Sequence, residues 1–112
     1  MANKRDIIRL RKRLSIRFGI EEPARLAFTE DISLEGMFVK TVNICPPGSL
    51  IKLELTLADD RRVLMEGRVM WAKKVPPQLI HLSKKCGMGV RITRFLAGEE
   101  EYRRTCAELL GR

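Results

Sequence analysis

An Asp-x-Ser-x-x-Gly segment, Asp31-Ile32-Ser33-Leu34-Glu35-Gly36, follows closely on a stretch crowded with guanidinium groups. That stretch reads Lys4-Arg5-Asp6-Ile7-Ile8-Arg9-Leu10-Arg11-Lys12-Arg13-Leu14-Ser15-Ile16-Arg17. Arginine carries a fixed positive charge and a planar fork of donors, which suit phosphate oxygens and the O6/N7 edge of guanine. Asp31 can accept from the guanine N1–H and N2 amine, a donor pair that adenine does not offer. Ser33 can donate to a base or a phosphate. Gly36 permits a tight bend, since glycine tolerates positive φ. Together these residue types describe a pocket for a small anionic purine ligand.

The charge is unevenly placed. Residues 1–17 hold seven Lys/Arg against Asp6 alone, so they carry +6 of the chain's +8. The basic character belongs to a flexible N-terminal arm, residues 1–13, and the body, residues 14–112, is closer to balance. A helical turn around Asp6 to Arg11, with Ile7, Ile8 and Leu10, would tack the arm loosely to that body. At 112 residues the chain is expected to form one domain. A hydrophobic fraction of 45% supports a compact core, and with only 5% aromatic residues the aliphatic side chains must fill it.

Several function classes are disfavoured. Cys45, Cys86 and Cys106 are odd in number and contain no C-x-x-C pair, so free thiols in a reducing compartment are expected. His81 is the only histidine, which leaves zinc short of ligands and gives no support to a Ser/His/Asp or Cys/His pattern. No Walker-type glycine loop is present. The expectation is a non-enzyme without metal or cofactor. No apolar run approaches a membrane span, and charges interrupt the N-terminus where a signal peptide needs its apolar core. A soluble cytoplasmic protein is expected.

The elements that must position these residues are mostly strands. Leu14 to Phe18 alternates apolar and polar, Gly19 ends it, and Glu21-Glu22-Pro23 turns the chain. Arg25 to Ile32 follows, with Leu26, Phe28 and Glu30 on one side, then the Asp31 to Gly36 turn and a strand from Met37 to Thr41. After the Cys45-Pro46-Pro47-Gly48 loop, Leu50 to Leu57 alternates most clearly, with Ile51, Leu53, Leu55 and Leu57 inward. A hairpin turn at Ala58 to Arg61 leads to a long strand, Arg62 to about Lys74. Its Val63, Met65, Val69 and Trp71 share a core face, and Gly67 allows a bulge or close approach. Pro76-Pro77 breaks the pattern, and the Val75 to Lys85 loop, carrying His81, folds over the barrel end as a short helical turn. The last strand spans Met88 to Ile92. Glu99 to Leu110 is a helix, acidic in its first turn as the helix dipole favours, with Tyr102, Cys106, Leu109 and Leu110 as its apolar stripe. These elements specify an all-β fold, a small six-stranded antiparallel barrel with a C-terminal α-helix.

Nearly the whole chain resembles the PilZ domain, a bacterial receptor module for cyclic di-GMP. The resemblance rests on an Arg-x-x-x-Arg pair ahead of the first strand, Asp31 to Gly36 with the following Met37-Phe38-Val39, and Pro47-Gly48 before an alternating strand. It extends to Glu66-Gly67-Arg68-Val69-Met70-Trp71 and Gly87-Met88-Gly89-Val90-Arg91-Ile92. It implies a split β-barrel whose arm closes over the ligand. Three arginine registers fit: Arg5/Arg9, Arg9/Arg13 and Arg13/Arg17. Aligning the first strand favours Arg5 and Arg9, with Arg13 in reserve and Arg17 as a solvated strand residue. The implied ligand site is therefore Arg5, Arg9, Arg13, Asp31, Ser33 and Gly36, and the implied partners are cyclic di-GMP and a downstream protein. The alternative is a PilZ-fold adaptor that binds protein and ignores the nucleotide. Nucleic acid is disfavoured as a partner, because single-strand binders need exposed aromatic platforms and this chain has few aromatics.

Overall fold

The computed structural model describes residues 8–76 and 86–111. Arg5, His81 and most of the expected covering turn therefore lie outside the described residues. The chain runs β1 (Leu10–Arg11), β2 (Ser15–Gly19), β3 (Arg25–Ile32), β4 (Gly36–Lys40), β5 (Leu50–Thr56), β6 (Arg62–Lys73), β7 (Gly87–Ala97) and α1 (Glu99–Leu110). All strand pairs are antiparallel, in the order β3-β2-β5-β6-β7-β4, and β4 pairs back onto β3 to close a six-stranded barrel. Closure removes the sheet edges that a small domain would otherwise expose. The short β1 pairs with Ile32 and Asp31 on the edge of β3 that β2 occupies at Arg25 to Phe28. The sheet thus begins inside the segment assigned to the arm, and Leu10–Arg11 is strand rather than the expected helical turn.

Alternating side chains fill the interior. Ile16 and Phe18 of β2, Ile51, Leu53 and Leu55 of β5, and Val63 and Met65 of β6 are all buried in one cluster. The glycine at position 67 is needed as expected, since a side chain there would press on Val90 and Leu53, and the register shifts beside it. In β3, Leu26 and Phe28 do share a side, but that side faces out, and Ala27 and Thr29 point inward. Thr29 is tolerated there because its hydroxyl accepts from the Leu14 amide at 2.9 Å and donates to the Lys12 carbonyl at 2.7 Å. Those two bonds also pin the arm where it enters β2.

β7 runs to Ala97, five residues beyond the expected Ile92. Two register shifts against β6 leave Thr93 and Leu96 as extra residues, which smear the alternation a strand should display. Gly98, in left-handed backbone at φ 85°, then turns the chain into α1. The helix matches its expected span. Tyr102 and Cys106 are buried, Leu109 is half-buried and Leu110 is 55% exposed. The three cysteines are free thiols.

Candidate functional site

Two β-bulges create the site. In β3 the register passes from Thr29↔Val39 to Asp31↔Phe38, so Glu30 is an extra residue. Without it, Asp31 would follow Ala27 and Thr29 toward the core. The bulge instead sends Ile32 inward and turns Asp31 out, leaving one Glu30 carboxylate oxygen buried without a partner. In β6 the register passes from Val69↔Val90 to Trp71↔Gly89, with Met70 as the extra residue. This corrects the expectation that Trp71 belongs to the core. The indole is 43% exposed, stacked on Phe38 at 5.3 Å between ring centroids. A side chain at position 89 would collide with the indole, so Gly89 is its seat.

Met70 and Trp71 of β6 and the turn that follows β3 border one open hollow of about 270 Å³ on the outer face of the barrel, and Asp31 is tied to it through Arg9. Arg9, Ser33, Gly36, Met70, Trp71 and Arg91 line it. Arg9 reaches across from the arm, its Nη2 and Nε donating to Asp31 Oδ1 at 2.6 and 3.1 Å. Asp31 Oδ2 takes no partner among the described residues and is left to accept from an incoming donor. The pair combines a half-exposed guanidinium with a mostly covered carboxylate.

Ser33 is buried and its hydroxyl is committed to the turn. It accepts from the amides of Gly36 at 3.1 Å and Glu35 at 3.3 Å, and donates to the Gly36 carbonyl at 3.3 Å. Gly36 does not adopt positive φ, contrary to the expectation drawn from its glycine. Its requirement is steric, because a Cβ there would run into the carbonyl of Val90 on β7. Beneath the turn, the Tyr102 hydroxyl donates to the Ser33 carbonyl at 2.5 Å and lies 3.4 Å from that of Gly36. Burial pushes its pKa far above the ordinary tyrosine value, with nearby Cys106 adding to the shift, so the phenol stays a donor.

Of the sequence-derived candidates, Arg9, Asp31, Ser33 and Gly36 thus meet at one place. Arg13 does not line the hollow; its guanidinium sits 4.1 Å above the Phe28 ring, held by cation–π attraction on the outer face of β3. Sequence reasoning missed Trp71, Met70 and Arg91. The signal for Trp71 was its place opposite a glycine, since a large ring beside a residue without a side chain marks close stacking.

The fold has a known counterpart. The solved structure of the Bacillus subtilis inhibitor of motility (MotI/DgrA) matches 96% of this chain with a TM-score of 0.74 at 19% identity, and this chain spans about half (51%) of that protein. No curated protein sequence matches it. The family model of the PilZ domain matches residues 3–109, taking in the arm, the Asp31 to Gly36 turn, every strand and nearly all of α1. The chain belongs to the PilZ domain family.

Proposed function

We propose that this protein is a non-enzymatic, cytoplasmic receptor for cyclic di-GMP, which orders the N-terminal arm and signals to a partner protein. The observation that carries the reading is the meeting of Arg9 with Asp31 across 22 positions of sequence, at a hollow lined by Ser33, Gly36 and Trp71. Asp31 Oδ2 accepts from the guanine N1–H and N2 amine while Arg9, held on Oδ1, forks toward phosphate or the O6/N7 edge. The exposed indole of Trp71 offers a face for a purine. Ser33 and Gly36 keep the turn in the shape that presents Asp31. Arg5 supplies the first arginine of the pair, and Arg13, engaged with Phe28, is the reserve. Membership of a family of nucleotide-binding receptors supports the same reading.

Calorimetric titration with cyclic di-GMP tests it. Saturable heat at micromolar ligand is expected, and none at any practical concentration ends the proposal. One observation favours a second reading, an adaptor indifferent to nucleotide. An apolar groove of about 440 Å³ runs between the arm and α1, lined by Ile8, Leu10, Leu34, Ala107 and Leu110. Partner capture unchanged by nucleotide would favour that reading.

A further inference from the structure

The hollow is small for the ligand assigned to it. Pockets that enclose a drug-sized molecule measure roughly 300–1,000 Å³, and this one, at about 270 Å³, is open to solvent. A cyclic dinucleotide has two bases and two phosphates, so part of it must lie on the surface beyond.

Charge indicates which surface. Arg91 of β7 lines the hollow, and directly opposite it on β6 is Arg68. Both are exposed on the same outer face, because their neighbours Val69 and Val90 point together into the core. Directly opposed side chains have Cβ atoms only about 4.5–5.5 Å apart, and like charges so placed destabilise the sheet. Neither guanidinium has an ion-pair partner among the described residues, whereas Arg9, Arg61, Arg62, Arg94 and Arg103 all do. The nearby apolar neighbours are also uncovered: Leu50, opposite Arg68 on β5, is 57% exposed and Met70 is 50% exposed. Among the described residues, the one carboxylate lining the hollow is Glu35, itself exposed, and Glu66, two residues before Arg68 on β6, is paired with Arg94. Two adjacent unneutralised arginines beside a hollow too small for its ligand match a phosphodiester in charge, donor geometry and position.

We infer that Arg68 and Arg91 form a second anion subsite, which takes the phosphate and outer nucleotide of the bound cyclic dinucleotide. The inference rests on the cyclic di-GMP reading above and adds to it the direction in which the ligand extends. It also accounts for a like-charged pair that stability alone would not favour.

The test is a titration of the full chain with cyclic di-GMP, read by calorimetry and by the fluorescence of Trp71, the only tryptophan. Arg68→Gln raises Kd about tenfold, Arg68→Lys retains most of the affinity, and quenching of Trp71 at saturation is unchanged in both. Thermal melts accompany the titration, and Arg68→Gln melts at or above the wild-type temperature, because it removes a repulsion. Affinity within twofold of wild type for Arg68→Gln overturns the subsite and leaves the receptor reading standing. Lost affinity together with a lowered melting temperature also overturns it, since Arg68 is then structural. A wild-type chain that binds no cyclic di-GMP removes the reading and the subsite together.

Discussion

Replacing Tyr102 by Phe deletes one oxygen from beneath the Asp31 to Gly36 turn and leaves the ring in place. The ring is fully buried against Phe95, so no cavity opens. What is lost is the donor to the Ser33 carbonyl at 2.5 Å. The Gly36 carbonyl keeps the Ser33 amide at 2.8 Å, but the Ser33 carbonyl has no second donor among the described residues. A buried acceptor left alone costs about 1–3 kcal/mol. For a domain of this size the melting temperature should fall by roughly 4–12 °C. A pH series separates this cause from general loosening. Burial raises the native phenol well above its ordinary value of 10.0, while the unfolded chain ionises near that value. Above about pH 10 the unfolded state therefore binds fewer protons than the native state, and this contribution, fully present at lower pH, declines as pH rises. The variant lacks it. The gap in melting temperature between wild type and Tyr102→Phe, followed by circular dichroism, should narrow from pH 7 to about pH 10.5. An unchanged melting temperature at pH 7, or a gap that ignores pH, would refute the reasoning.

Three further perturbations follow from the site. Arg9→Ala should change stability by less than about 1 kcal/mol, because the ion pair is half-exposed, yet weaken cyclic di-GMP binding roughly tenfold or more by calorimetry. In the wild type, ligand should slow amide exchange at Leu10 and Arg11, and in Arg9→Ala it should not. Gly36→Ala should destabilise by about 1–3 kcal/mol in thermal melts, since the methyl meets the Val90 backbone; a neutral result would show that β4 and β7 can part. Glu35→Gln removes the carboxylate beside Arg9 and Arg91 in the hollow, so binding should tighten severalfold at low salt and less at high salt; unchanged affinity would place Glu35 outside the ligand's field.

The barrel was largely legible because most of its strands keep the two-residue period that half-burial imposes. Leu50–Thr56 is the clearest case, with Ile51, Leu53 and Leu55 buried where alternation puts them. Legibility failed where a residue is inserted. Met70 turns Trp71 outward, and Thr93 with Leu96 hides the second half of β7. A bulge is a backbone event with no fixed residue signature, so period counting carries the wrong parity past it. The Asp-x-Ser-x-x-Gly turn was legible as a motif, yet the working parts differ from those its residue types suggest. Ser33 spends its hydroxyl on the turn's own amides and Gly36 answers a neighbouring backbone rather than a left-handed φ. The arginine register was open because spacing alone fits three pairs. Pairing of Leu10 with Ile32 fixes the arm's direction and brings Arg9 rather than Arg13 to Asp31.

That same pairing links the hollow to the groove behind it. Arg9 faces the hollow while its neighbours Ile8 and Leu10 line the apolar groove against α1. The turn is divided in the same way: Ser33 and Gly36 border the hollow, Leu34 borders the groove, and Glu35 borders both. Adjacent residues of an extended chain point to opposite sides, so a ligand cannot fix Arg9 without also fixing the wall that Ile8 and Leu10 provide. Tyr102 and Cys106, one helical turn apart, hold the far wall, the first through the Ser33 carbonyl and the second by lining the groove. A ligand held by Arg9 would therefore bear on the groove through a single peptide segment.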